Sequence, residues 1–135
     1  MDFSKQKVAQ TAAMHVKSAA GTPMFDNGKP IRIHFYGPAS PQFAALETRQ
    51  SERSVKRHNE NEGRVVARTS EERRQEAVED LLSLTAKFEH LEYEDKSGDE
   101  LYAAVYGDPE LGYILNQATK FVGEWGNFSG SAPTN

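Results

Sequence analysis

The apolar pattern of residues 108–128 constrains the fold of this chain more than any other feature of its sequence. Apolar side chains recur there at spacings of three and four, the period of a helix face: Leu111, Ile114, Leu115, Ala118, Phe121, Val122 and Trp125. Asp108 is suited to cap this helix and Pro109 to occupy its first position, where a missing N–H costs nothing. The pattern predicts a helix that ends at Gly126 or Asn127, and its apolar stripe needs a second surface to cover it.

A second period, that of a half-buried strand, occurs earlier in the chain. Residues 31–36 alternate between two faces: Ile31, Ile33 and Phe35 on one, Arg32, His34 and Tyr36 on the other. A weaker alternation places Met14 and Val16 on one face, and a segment rich in Gly, Pro, Asp and Asn separates the two stretches. This order predicts a β-hairpin. Two strands alone are marginally stable in water, so helices are expected to cover the apolar face.

Helices are predicted on both sides of the hairpin. Residues 3–11 predict a short one with Ser4 as its N-cap. Ser40 is a suitable N-cap for another helix that begins at Pro41. The apolar side of that helix then fades, and residues 47–68 mix Arg, Lys and Glu with few apolar side chains. We therefore expect a charged, mobile connector with a break near the sequence NENEG.

Two capping boxes, in which Ser or Thr precedes Glu by three positions, predict further helix starts after Thr69 and Ser97. The first of these helices is predicted over residues 70–87, with an apolar face that consists of Val78, Leu81, Leu82, Thr85 and Phe88. The second is short and places three apolar side chains inward: Leu101, Tyr102 and Val105. Residues 90–93 are expected to form a brief extended piece between the two helices.

Together these elements predict an α+β fold that is predominantly α-helical, with an N-terminal β-hairpin followed by three to four helices. The chain has 135 residues, of which 37% are hydrophobic and 27% are charged, so its core is expected to be modest. We expect one small domain over residues 1–128. It comprises an N-terminal helix and hairpin (1–40), a charged helical connector (41–68) and a C-terminal helical part (69–128). Residues 129–135 have the composition of a flexible tail.

The composition excludes several classes of protein. The absence of cysteine excludes disulfides, thiol catalysis and cysteine metal sites. No segment approaches the ~20 apolar residues that span a bilayer, and the first residues lack the apolar run of a signal peptide. The net charge of -4 argues against a general nucleic-acid binder, which is usually basic. We therefore expect a soluble intracellular protein that does not contact membranes.

The titratable residues do not form a recognised catalytic or metal-binding pattern in the sequence. The histidines are scattered, without the spacing of a metal-binding pair: His15, His34, His58 and His90. The acidic segment around Asp95 lacks the bidentate Glu of an EF-hand, because Tyr106 stands at that loop position. Phosphate-binding glycine motifs and the nucleophile elbow are also absent. We expect no enzyme activity, no metal and no cofactor.

An arginine-rich stretch between Arg49 and Arg74 is the segment best suited to contact phosphate groups. Glutamates are interspersed through it, and mixed signs are more typical of an ion-paired helix exposed to water. The stretch also lacks the aromatic side chains on which single-stranded nucleic acids stack. Nucleic acid is therefore not an expected partner, although a small DNA-binding regulator stays open as an alternative.

The order of short motifs along the chain resembles that of the tail assembly chaperones of long-tailed bacteriophages and prophages. In that family a strand ends at Gly-Pro-x-Ser before a helix, as GPAS does at residues 37–40. Leu-Tyr, Asp-Pro, a helix containing Gln and a final Asn-Phe follow, and correspond here to Leu101-Tyr102, Asp108-Pro109, Gln117 and Asn127-Phe128. The similarity covers residues 3–128. It departs from the family at Phe88, where Trp is frequent, and in the generic connector.

The resemblance implies a binding protein of the host cytoplasm rather than an enzyme. Such chaperones bind the long helical tape measure protein, keep it soluble, help to recruit subunits of the major tail tube protein, and are absent from the mature virion. The alternative is a structural neck or tail connector, or a completion protein, that stays in the virion. An exposed hairpin edge can also pair with a second copy, so a homo-oligomer is a further expectation.

The candidate partner-binding residues lie in the C-terminal segment. Four of them form the stripe of the predicted helix: Leu111, Ile114, Leu115 and Phe121. Trp125 and Phe128 are candidates for an exposed anchor that fills a groove on the partner. The alternative is that these aromatic side chains complete the core of the protein itself.

Overall fold

The computed structural model describes residues 1–129, which contain five strands and four α-helices. The strands are β1 (Thr11–His15), β2 (Phe25–Asp26), β3 (Lys29–Pro30), β4 (Arg32–Tyr36) and β5 (Thr85–Glu89). The α-helices are α1 (Pro41–Glu60), α2 (Ser70–Leu84), α3 (Gly98–Gly107) and α4 (Gly112–Val122). Three 3-10 helices span Phe3–Gln6, Pro109–Leu111 and Trp125–Phe128. The fold is mixed α+β with helices predominant, as the sequence predicts. Of the segment predicted as a flexible tail, only Ser129 belongs to the described residues.

The main sheet is antiparallel and has the order β1-β4-β5. Met14 of β1 lies opposite Ile33 of β4, so both side chains reach the same buried face. The small hairpin β2-β3 is part of the connection between β1 and β4. The predicted N-terminal β-hairpin is therefore present, and its register follows the apolar alternation of both strands.

The third strand, β5, corrects the prediction that one helix continues to residue 87. Helix α2 ends at Leu84, and the next residue is extended and opens β5. Thr85 and Phe88 therefore lie on a strand and not on a helix face, and Phe88 is opposite Ile33 of β4. The physical reason is that a two-stranded hairpin gains stability from a third strand, and β-branched and aromatic residues fit a pleated sheet well.

Helices α2, α3 and α4 contribute with the sheet to one buried core. Its largest fully buried side chains are Tyr106, Phe35, Phe128, Ile33, Leu84, Val16 and Val105. The hydroxyl of Tyr106 is buried with them and is 2.7 Å from the hydroxyl of Thr85, which satisfies both groups. Burial raises the pKa of Tyr106 well above the ordinary value, so this hydroxyl stays protonated at neutral pH.

The charged segment predicted as a connector forms most of helix α1, which packs beside α2 through charged side chains. Leu46 is the fully buried residue of α1. Arg53 donates to Asp80 at 3.1 Å, and Arg57 donates to Glu76 at 2.8 Å. The chain turns after α1 at the predicted NENEG segment. The mixed charges thus form ion pairs between two helices, as the alternation of signs indicates.

The helix starts predicted after Thr69 and Ser97 are confirmed, whereas the first predicted helix and one of the two capping boxes are wrong in detail. The predicted helix over residues 3–11 is a short 3-10 helix, and Asp2, not Ser4, caps it by accepting from the Ser4 N–H at 3.0 Å. Ser97 precedes α3 without a side-chain cap, so the second capping box is absent. The first is present, because Thr69 and Glu72 exchange both expected hydrogen bonds.

In the part of the chain that the structure covers, each helix is too short or too polar to cross a membrane.

Candidate binding surface

Helix α4 positions the predicted site residues, but it is shorter than the sequence predicts. Asp108 caps the 3-10 helix Pro109–Leu111 by accepting from the N–H of Glu110 at 2.9 Å. Helix α4 then begins at Gly112 and ends at Val122, so the prediction that it reaches Gly126 or Asn127 is wrong. The 3-10 helix Trp125–Phe128 follows Gly123 and turns the chain back toward the sheet.

The six candidate residues fall into three classes of exposure. Ile114, Leu115 and Phe128 are buried, Leu111 and Phe121 are half-buried, and Trp125 is exposed. With 58% of its surface accessible, Trp125 is the one of the six that fits an exposed anchor without any rearrangement. Leu115 belongs to the core and is not available to a partner in this structure.

Phe128 corrects the expectation of an exposed anchor at that position. Its side chain is 0% accessible and packs on Gly37 and on the ring of Phe121, whose centroid lies 5.6 Å away. Its carbonyl accepts from the N–H of Ala9 at 2.7 Å. The physical reason is that the turn after Gly123 returns the chain to the hairpin, where Gly37 leaves room for an aromatic ring. Phe128 therefore completes the core.

Two motifs from distant parts of the sequence meet at this contact. Gly37 belongs to the Gly-Pro-x-Ser motif and Phe128 to the Asn-Phe motif. Ser40 closes the same corner, because its hydroxyl donates to the carbonyl of Gly37 at 2.7 Å and accepts from the N–H of Phe43 at 3.2 Å. These two motifs thus stabilise the fold, and Phe128 is not exposed to a partner.

An open groove lies between the β2-β3 hairpin, the segment after β5 and the start of α4, with a volume of about 400 Å³. We call it the acidic groove; its lining residues are Val16, Met24, Ile31, Leu91, Glu92, Tyr93, Val105, Asp108, Glu110, Leu111, Tyr113 and Ile114. Most of this lining is apolar, and six of the side chains are half-buried: Met24, Ile31, Leu91, Tyr93, Leu111 and Tyr113. Leu111 and Ile114 are the two predicted site residues that the groove brings together.

Hydrogen bonds hold the wall of the groove that follows β5. The hydroxyl of Tyr93 donates to Asp108 at 2.9 Å, which joins this wall to the start of α4. That bond, together with the nearby carboxylates, raises the pKa of Tyr93. Nδ1 of His90 donates to the carbonyl of Pro30 at 2.9 Å, which joins the wall to the β2-β3 hairpin. The wall is therefore fixed at both of its ends.

A second depression, of about 430 Å³, lies beside the edge strand β1 near the other end of α4. Phe121 lines it together with Lys17, Gln117 and Lys120. The side-chain amide of Gln117 accepts from the N–H of Lys17 at 2.9 Å and donates to its carbonyl at 2.6 Å. This depression is more polar than the acidic groove, and one of its walls is held by the Gln117 amide.

Three of the four histidines, His15, His34 and His90, have side-chain hydrogen-bond partners within the described chain. Nε2 of His15 donates to the carbonyl of Met24 at 2.8 Å. His34 pairs with Glu89 across β4 and β5, and this hydrogen bond lowers the pKa of Glu89. Over residues 1–129, His, Asp and Glu side chains do not form a cluster that could hold a metal ion. His15, His34 and His90 instead form hydrogen bonds that join different segments of the fold.

Comparison with known proteins adds no relative. No family model, no curated protein and no solved structure matches the chain. The two depressions beside α4 are therefore the candidate binding surfaces of this protein. Sequence reasoning missed the part that Met24 and Ile31 play in the acidic groove, and its closest indication of this surface was the extended piece expected at residues 90–93.

Proposed function

We propose that this protein is a tail assembly chaperone of a long-tailed bacteriophage or prophage. In this proposal it binds the tape measure protein in the host cytoplasm, keeps that protein soluble and helps to recruit subunits of the tail tube. It leaves before the virion is complete. The order of motifs in the sequence supports the family, and the structure supplies a surface suited to such a role.

The observation that carries the proposal is the acidic groove. Half-buried apolar side chains remain open to solvent along it, including Met24, Leu91 and Leu111. A chaperone of a helical client needs an apolar surface of limited size on an otherwise charged and soluble protein. The ion-paired surface of α1 and α2 supplies the charged exterior.

Co-expression with the tape measure protein of the same phage tests the proposal. We expect that protein to be insoluble alone and to become soluble, in a complex that can be isolated, when this chain is present. A client that stays insoluble in both cases contradicts the proposal. The substitution Val55→Ser is a suitable control, because Val55 is 60% exposed on α1, away from the groove, and its loss should leave the rescue unchanged.

Purified virions separate this function from the structural alternative. A chaperone should be absent from them, so mass spectrometry of intact particles should find no peptides of this chain. Stoichiometric peptides in particles would instead show a neck, connector or completion protein.

A further inference from the structure

The backbone around the acidic groove restricts what kind of segment can occupy it. Val16 donates to the carbonyl of Ile31 at 2.9 Å, Ile31 donates to the carbonyl of Met24 at 3.0 Å, and Met24 donates to the carbonyl of Val16 at 3.0 Å. These groups are paired with one another, so they cannot pair with an added strand. A helix, in contrast, satisfies its backbone internally and needs only an apolar contact. The wall therefore favours a helical occupant.

The charges at the rim restrict the occupant further. The charged side chains that line the groove are Glu92, Asp108 and Glu110, and all three are acidic. Asp108 is engaged by Tyr93, whereas Glu92 and Glu110 are exposed and form no ion pair with any residue in the range 1–129. Two carboxylates are thus free to attract cations at the edge of an apolar surface.

We propose that the acidic groove binds an amphipathic helix whose apolar residues are flanked by Lys or Arg. Two or three apolar side chains of this helix fill the space between Met24, Leu91 and Leu111. The flanking cations lie beside Glu92 and Glu110. This inference deepens the proposed function by defining the client segment, and it rests on that function only for the identity of the client.

Synthetic helical peptides test the charge preference directly. One fluorescent peptide carries Leu at positions i, i+3, i+4 and i+7 with flanking Lys, and a second has the same apolar face with flanking Glu. Anisotropy titration of the full chain should give roughly tenfold tighter binding of the Lys peptide, since its cations pair with Glu92 and Glu110 whereas the Glu peptide is repelled by them. A peptide with Lys flanks and Ala in place of Leu should bind much more weakly than the Leu peptide, because the apolar contact is lost.

Charge reversal on the protein supplies the matched comparison. The double substitution E92K/E110K should abolish the preference for Lys over Glu peptides. The control E47K/E52K makes the same change of net charge on exposed positions of α1, and it should retain the preference. Both variants keep the apolar lining intact, and circular dichroism verifies that each is folded.

Amide chemical shifts locate the bound peptide. We expect changes at Met24, Leu91 and Leu111, with Trp125 fluorescence unaffected because that side chain lies beyond the other end of α4. Absence of binding, equal binding of Lys and Glu peptides, or shifts confined to the depression beside β1 would overturn the inference. Shifts at the groove that grow with protein concentration alone would also overturn it, because a second copy would then be the occupant.

The peptide results and the co-expression results can fail separately. Binding of the Lys peptide in the groove, without rescue of the tape measure protein, overturns the proposed function and leaves the groove preference standing. Rescue that is unchanged in the folded variant E92K/E110K overturns the groove inference and leaves the proposed function standing.

Discussion

At the scale of single residues, Gly37 is the described glycine with the least room for a side chain, because the ring of Phe128 packs against it. A Cβ atom at position 37 would lie 2.5 Å from two carbon atoms of the Phe128 ring. That ring is fully buried and rigid, so it cannot yield as the end of a flexible side chain could. Glycine is therefore required here by packing and not by its backbone freedom.

The substitution Gly37→Ala should destabilise the protein by about 1–3 kcal/mol, the range for overpacking a core. Urea unfolding followed by circular dichroism measures the change. Gly112→Ala is the matched control, because a Cβ there meets nothing within 4 Å and the residue is helical. The control should be neutral or slightly stabilising, since Ala favours helices over Gly. Equal effects of the two substitutions would contradict this account of position 37.

The carboxylate of Glu89 should make stability depend on acid pH. Its hydrogen bond with His34 lowers its pKa below the ordinary value of 4.5. A folded-state pKa below the unfolded one gives stability above pH 4.5 that is lost as the pH falls through the folded value. Urea midpoints between about pH 6 and pH 3 should therefore fall more steeply for the wild type than for E89Q. Parallel curves would show that the pair contributes no pH dependence.

At the scale of elements, local periodicity accounts for what the sequence predicts well. The strand at residues 31–36 and the stripe of α4 each repeat at their own period, so both are visible without tertiary information. Strand β5 was missed because Leu81, Thr85 and Phe88 continue the helical spacing beyond the end of α2. Residues 85–89 form a strand because the hairpin gains stability from a third strand. A local sequence pattern does not show this gain.

The acidic groove could not be predicted from sequence in the same way. Val16, Met24 and Ile31 come from one end of the chain, whereas Leu91 and Leu111 come from the other. None of these residues stands in a motif that marks it as part of a shared surface. Only the folded chain brings them together, and of the six predicted site residues Leu111 and Ile114 line this groove.

The two aromatic side chains of the C-terminal 3-10 helix, Trp125 and Phe128, should differ in their contribution to stability. Phe128→Ala should cost about 3–5 kcal/mol of unfolding free energy because it empties a fully buried site. Trp125→Ala, three residues earlier, should change stability by about 0.5 kcal/mol or less because that side chain is exposed. Chemical denaturation followed by circular dichroism compares the two variants. A large loss for Trp125→Ala would place that ring in the core and remove it from the candidate surface.

At the scale of the whole molecule, distant parts of the sequence close one core. The carbonyl of Phe128 pairs with the N–H of Ala9, and its ring lies against the corner that follows β4. The side chain of Gln117 forms hydrogen bonds with the backbone of Lys17, which lies 100 positions earlier in the sequence. Such contacts couple the N-terminal sheet to the C-terminal helices, so neither part is expected to unfold alone.

Unfolding of the whole chain should therefore be a single cooperative transition. Circular dichroism at far-ultraviolet wavelengths reports on helices throughout the molecule, whereas fluorescence reports on Trp125, the single Trp. The two urea curves should have the same midpoint and slope. An earlier transition in fluorescence would show that the Trp125–Phe128 turn detaches before the rest unfolds.

The hydrogen bonds between Gln117 and Lys17 affect whether two copies of the protein can pair through the edge of the sheet. The side-chain amide of Gln117 accepts one hydrogen bond from the Lys17 backbone and donates one to it, so it imitates a single residue of an adjacent strand. A strand of another copy cannot pair with Lys17, because the backbone groups of Lys17 are already bonded to Gln117. This hinders the growth of an intermolecular sheet or an amyloid-like stack from that part of the edge. This pairing should therefore limit self-association through the edge of β1 at high protein concentration and leave the acidic groove exposed to solvent.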